Sequence, residues 1–165
     1  MHADVNWPAD KAALYPLLTS QISALADGLS LPLPALANAA ALLWEAMPDI
    51  NWAGFYLRKA DTLYLGPFQG KVACTVIPFG RGVCGTAAQT GEIQLVPDVH
   101  LFPGHIACDS ASNSEIVLPL VVKGEVVGVL DIDSPLLGRF DQQDADGLRA
   151  FADVLTSELD WSSLL

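Results

Sequence analysis

Basic charge is scarce in this chain. Lysine and arginine number 8 among 165 residues, against 19 aspartates and glutamates, for a formal net charge of −11. Repulsion on that scale argues against nucleic acid or an anionic lipid surface as a partner. It leaves two readings open: a solubilising surface, or a site built for a cation or an ammonium group. Cysteine is scarce too, with only Cys74, Cys84 and Cys108. An odd number at wide spacing is not a secreted disulfide framework, and no C-x₂₋₄-C pair offers zinc a ready ligand set. In a reducing compartment these residues stay thiols unless chemistry oxidises them. No charge-free run of ~18 apolar residues occurs. The opening MHADVNWPADKAALYPLL has no basic segment followed by an apolar one. The expectation is a soluble, cytoplasmic protein. Repeats, low-complexity tracts and linkers are absent, so the chain reads as one domain.

What is present is apolar: hydrophobic residues make up 52% of the chain and charged ones 16%, enough for a sizeable core. Pro8 suits an early helical position, and Leu14, Leu18, Ile22 and Leu25 give the first helix its stripe up to Gly28. Pro34 is expected to start a second helix that Pro48 stops. Residues 50–57, INWAGFYL, read as an aromatic-rich strand. RKAD turns into a second strand, TLYLGPF. Gly80, Gly82 and Gly85 punctuate a loop before a short helix, VCGTAAQT, and EIQLV is another strand. Residues 98–113 form a long irregular segment, and such segments are usually functional or mobile. EIVLPLVVKGEVVGVLDID reads as a hairpin around Lys123-Gly124. Asp141 and Asp144 suit the cap of a last helix with Leu148, Phe151, Leu155 and Leu159 at helical spacing. The order predicts an α+β domain with a central antiparallel sheet flanked by helices.

Three carboxylates and one cysteine carry the chemical interest. Asp131 and Asp133 are two apart on a strand and leave the same face. They read either as a strand end entering solvent or as a paired acidic site. Glu115 joins them only in one register. A three-residue loop, Val122-Lys123-Gly124, would set Glu115 opposite Asp131, and that geometry is the expectation. Like charges held together raise at least one pKa, so a neutral acid at physiological pH could donate to a substrate oxygen while the remaining charge holds an ammonium. Cys108 lies in a polar loop, GHIACDSASNSE, beside Asp109. Buried packing remains open for any of the cysteines, but Cys108 is the least core-like and is the candidate nucleophile. His105 could activate it or be a surface residue. Carboxylates oppose thiolate formation, so this design works better if the substrate brings an oxygen to be protonated as sulfur attacks. Reduction of a sulfoxide fits, leaving a sulfenic acid that a second cysteine resolves.

The stretches NWAGFYL, LGPFQGKVACTVIPFGRGVCGTA, DVHLFPGHIACDSASNSEIVLPLVVKGEVVGVLDIDS and GRFD closely resemble the free methionine-(R)-sulfoxide reductases, single-domain enzymes of the GAF fold. The resemblance runs from about residue 49 to about 150. It implies a single GAF domain over residues 1–165, with N-terminal helices in 9–47 and a catalytic core in 49–158. It implies reduction of free L-methionine (R)-S-oxide, with thioredoxin as external reductant and no cofactor. It assigns Cys108 as nucleophile, Cys74 as resolving partner and Cys84 as an auxiliary thiol. Glu115, Asp131 and Asp133 would bind the amino group and polarise the sulfoxide, and Trp52 and Tyr56 would form an apolar wall. A homodimer is a weaker expectation for the fold. The alternatives are a non-catalytic GAF module that binds a small molecule and a thiol-based redox sensor.

Overall fold

A computed structural model describes residues 5–105 and 110–163. In chain order the elements are α1 (Lys11–Ala26), α2 (Pro32–Ala46), β1 (Trp52–Lys59), β2 (Thr62–Gly70), β3 (Val76–Pro78), α3 (Gly82–Thr90), β4 (Gln94–Val96), β5 (Ser114–Val122), β6 (Glu125–Ser134) and α4 (Gln142–Glu158), with short 3-10 turns at Val99–Leu101 and Trp161–Ser163. The strands form one sheet in the order β3-β2-β1-β6-β5-β4, antiparallel at every pairing. No helix of the described residues is long and apolar enough to cross a membrane.

Local chemistry explains most boundaries. The first helix begins at Lys11, later than the Pro8 expectation, because the Asp10 side chain accepts from the Ala12 N–H and caps it. The second begins at Pro32, not Pro34, since the ring sits in the first turn where no N–H is needed. For α4 the capping box is complete: Asp141 accepts from the Asp144 N–H, and Asp144 from the Asp141 N–H. Asp144 is fully buried and also accepts from Tyr15 Oη at 2.6 Å, Lys11 Nζ at 2.7 Å and Arg139 Nη1 at 3.4 Å. That network ties α1 to α4 across 129 residues of sequence.

The sheet carries two cores. On one face Ala53, Phe55, Ile116, Leu118, Leu130 and Ile132 pack under a layer made by α1, α2 and α4. On the other, Trp52, Tyr56, Val117 and Val129 meet α3, including Val83, Cys84 and Ala87. The alternation of strand residues between these faces is what delivers the carboxylates to the α3 side.

The expected hairpin register is corrected here. The loop is two residues, not three: Val122 pairs with Glu125, and Lys123 and Gly124 both have positive φ, at 52° and 83°. Those angles define a type I′ turn, whose twist matches the strands. Left alone, that turn would set Glu115 opposite Ile132 and aim it into the helical layer. A bulge prevents this: Val121 pairs with Val126 but Leu120 with Gly128, leaving Val127 extra on β6. The slip of one residue flips the register, and Glu115 faces Asp133 directly. The expected clustering on one face is observed, produced by a bulge rather than by the loop.

Candidate active site

The α3 face of the sheet holds a narrow cavity. Its floor is acidic. Glu115 from β5 and Asp131 and Asp133 from β6 line it, and the first two are 94% buried. Cys84 enters from the first turn of α3, and its Sγ donates weakly to Glu115 Oε1 at 4.0 Å. Close approach of that turn depends on Gly85, where a Cβ would stand 2.4 Å from the Pro78 carbonyl oxygen. One wall is aromatic. Trp52 stacks on Phe68 at 5.2 Å and on Tyr56 at 5.8 Å. Phe68 can sit there because residue 54 is glycine: a Cβ at 54 would lie 2.3 Å from the Phe68 Cβ.

The aromatic wall also fixes backbone. Trp52 Nε1 donates to the Lys71 carbonyl and Tyr56 Oη to the Cys74 carbonyl, both at 3.1 Å. These two bonds hold the 71–74 segment beside the cavity. Cys74 is in a disulfide, while Cys84 is a free thiol. Cys108 and its neighbour Asp109 lie outside the described residues.

Burial dominates the electrostatics. Loss of water raises the Glu115 carboxyl well above its ordinary range, and the charges of Asp131 and Asp133 raise it further. Burial likewise raises Asp131, to about 6. The Cys84 thiol is pushed up by burial and then by the Asp131 and Glu115 charges, so it is protonated at neutral pH. Tyr56 is raised by the same causes. His105 also lines the cavity, 4.0 Å from Glu115 Oε2, and burial lowers its pKa. Asp131 Oδ1 has no hydrogen-bond partner among the described residues. A buried carboxylate oxygen left bare costs several kcal/mol unless a ligand completes it. The arrangement can therefore supply a proton from a neutral acid and a negative charge to hold a cation.

The GAF domain model matches residues 13–159. The free methionine-R-sulfoxide reductase of Escherichia coli is 59% identical over 140 residues, which are 85% of each chain. The chain belongs to the free methionine-R-sulfoxide reductase family of GAF-domain proteins. The Saccharomyces cerevisiae member is 47% identical, across 93% of this chain and 92% of its own. The Neisseria meningitidis free methionine-R-sulfoxide reductase, whose X-ray structure is a complex with its substrate, superposes with a TM-score of 0.91 at 48% identity, over 96% of this chain and 95% of that one. The α+β GAF architecture expected from sequence is the observed one.

Of the residues singled out in sequence for this family, the structure brings Cys84, Glu115, Asp131, Asp133, Trp52 and Tyr56 to one cavity and sets Cys74 beside it. Sequence reasoning missed three participants. Phe68 extends the aromatic wall. Ser112 is buried at the cavity and accepts from Asn51 Nδ2 at 3.0 Å. Arg81 lines it and is exposed, which places a cation at the mouth. Arg81 immediately precedes α3 in the glycine-rich loop, the one cue that could have flagged it.

Proposed function

We propose that this protein reduces free methionine-(R)-sulfoxide to methionine in the acidic cavity, using Cys108 as nucleophile and Cys74 as its resolving partner. The reading rests above all on Asp131 Oδ1, buried and unpartnered beside Glu115 and Asp133. An ammonium group supplies what that oxygen lacks. A methionine residue within a polypeptide carries no such charge, so the same carboxylates favour the unlinked amino acid. Arg81 at the mouth offers a cation to the substrate carboxylate, and Trp52 and Tyr56 offer an apolar surface to its side chain.

The Cys108 sulfur attacks the sulfoxide sulfur as Glu115, neutral through burial, protonates the oxygen. Oxygen passes to cysteine, giving a sulfenic acid and methionine. The Cys74 thiol then displaces it as water, forming a disulfide. That Cys74 is disulfide-bonded while Cys84 is not supports this division of roles. An external dithiol, thioredoxin in our proposal, returns both thiols, and the cycle requires no bound cofactor. Neutrality of Cys84 suits an auxiliary thiol rather than an attacking one.

The test is a coupled assay with thioredoxin, its reductase and NADPH. Nicotinamide absorbance is expected to fall on addition of free methionine-(R)-sulfoxide and to stay level with the (S) epimer. Ligand binding without NADPH consumption would return the chain to the non-catalytic GAF modules.

A further inference from the structure

We propose that the cavity is also a binding site for a borderline-soft divalent cation of the zinc class, held by Cys84 Sγ, Glu115 and Asp131. One ligand atom from each of the three lies within 4.8 Å of the others, and all three residues are buried. In a tetrahedral zinc site, donors at ~2.0–2.3 Å from the metal sit roughly 3.3–3.8 Å apart. Side-chain rotation of about 1 Å therefore closes the set. His105 Nε2 lies 4.0 Å from the second Glu115 oxygen and stands outside this set of three.

The donor types choose the metal. Calcium and magnesium ask for six or more oxygens, whereas one thiolate with two carboxylates suits zinc or cobalt. Asp131 Oδ1 gives an observation independent of the clustering: it is buried, lines the cavity and has no hydrogen-bond partner among the described residues. It is the atom a cation would satisfy. Binding displaces the Cys84 proton and that of the Glu115 carboxyl to solvent as the metal bonds form, so affinity rises with pH. No paired cysteine spacing announces the site, because its ligands come from α3, β5 and β6 and meet only through the sheet.

The atoms that would hold the metal are those assigned above to the substrate ammonium, so on that reading the two exclude each other, and zinc would be a reversible inhibitor. The experiment uses oxidised protein, in which Cys84 is the free thiol among the described residues. Titration with Co²⁺ is expected to give one equivalent of binding and a sulfur-to-cobalt charge-transfer band, which Zn²⁺ abolishes by displacement. Cys84→Ser should remove the band, and Asp131→Asn should weaken binding about tenfold or more, with circular dichroism confirming that each variant is folded. Absence of the band in the wild type, or its persistence in Cys84→Ser, overturns the proposal. Free methionine sulfoxide added to the cobalt form separates the two readings. Loss of the band supports both. A band that survives leaves the metal site standing and contradicts the substrate assignment. Intact turnover without metal binding contradicts the metal site alone.

Discussion

Replacing Cys108 with serine is expected to abolish turnover of free methionine sulfoxide, by more than about 10³-fold, because a hydroxyl at neutral pH lacks the nucleophilicity of sulfur. The partner variant should fail differently. Cys74→Ser should release about one methionine per chain in a burst and then stall, since the sulfenic acid forms but finds no resolving thiol. Rapid quench with chromatographic detection of methionine distinguishes the two. Full turnover in Cys108→Ser would move the nucleophile to Cys84. The raised pKa of Cys84 speaks against that outcome, since burial and two adjacent carboxylates keep its thiol protonated.

Asp131→Asn should make the protein more stable and much less active. The Asp131 carboxyl titrates at about 6 in the folded chain against 3.8 ordinarily. A folded-state pKa above the unfolded one means that the folded state binds the proton more tightly. Its contribution is complete below about pH 4 and is lost as pH rises through 6. Glu115, raised in the same direction, adds to the loss. Wild-type Tm should therefore fall between pH 5 and pH 8. Asp141, held down at about 2 by Lys11, does not titrate in that window. Removing the Asp131 charge should recover on the order of 2–3 kcal/mol at pH 8, about 4–10 °C in Tm for a chain of this size. The same variant loses the counter-charge for the substrate ammonium, and kcat/KM should drop by about 10²-fold or more. Scanning calorimetry at the two pH values and the coupled assay check the pair of effects. A stability that does not respond to pH in the wild type would mean that the carboxylates are not desolvated in the free protein.

Local rules sufficed for the helical stripe of α1, the cap of α4 and the hairpin at Lys123-Gly124. They failed where tertiary packing decides. β3 is three residues long, and one of them is proline. It is a strand because Thr62, Leu63 and Tyr64 pair with it, and no periodicity marks it. The bulge at Val127 is equally silent: an apolar run of valines looks the same with or without an extra residue. Yet the bulge sets the side from which Glu115 emerges. The expected clustering holds although the loop is two residues long, because only one parity brings three acids together. Arg139 and Lys11 meeting at Asp144, and Cys84 meeting Asp131, follow from helix docking that neither spacing nor motif encodes.

The most direct measurement compares free methionine-(R)-sulfoxide with its N-acetyl derivative in the same coupled assay. The two differ at the nitrogen, which is charged in one and neutral in the other. If the buried carboxylates select an ammonium group, N-acetylation should lower kcat/KM at least about a hundredfold, mostly through weaker binding. Equal kcat/KM for the two compounds would contradict the role given to Glu115, Asp131 and Asp133.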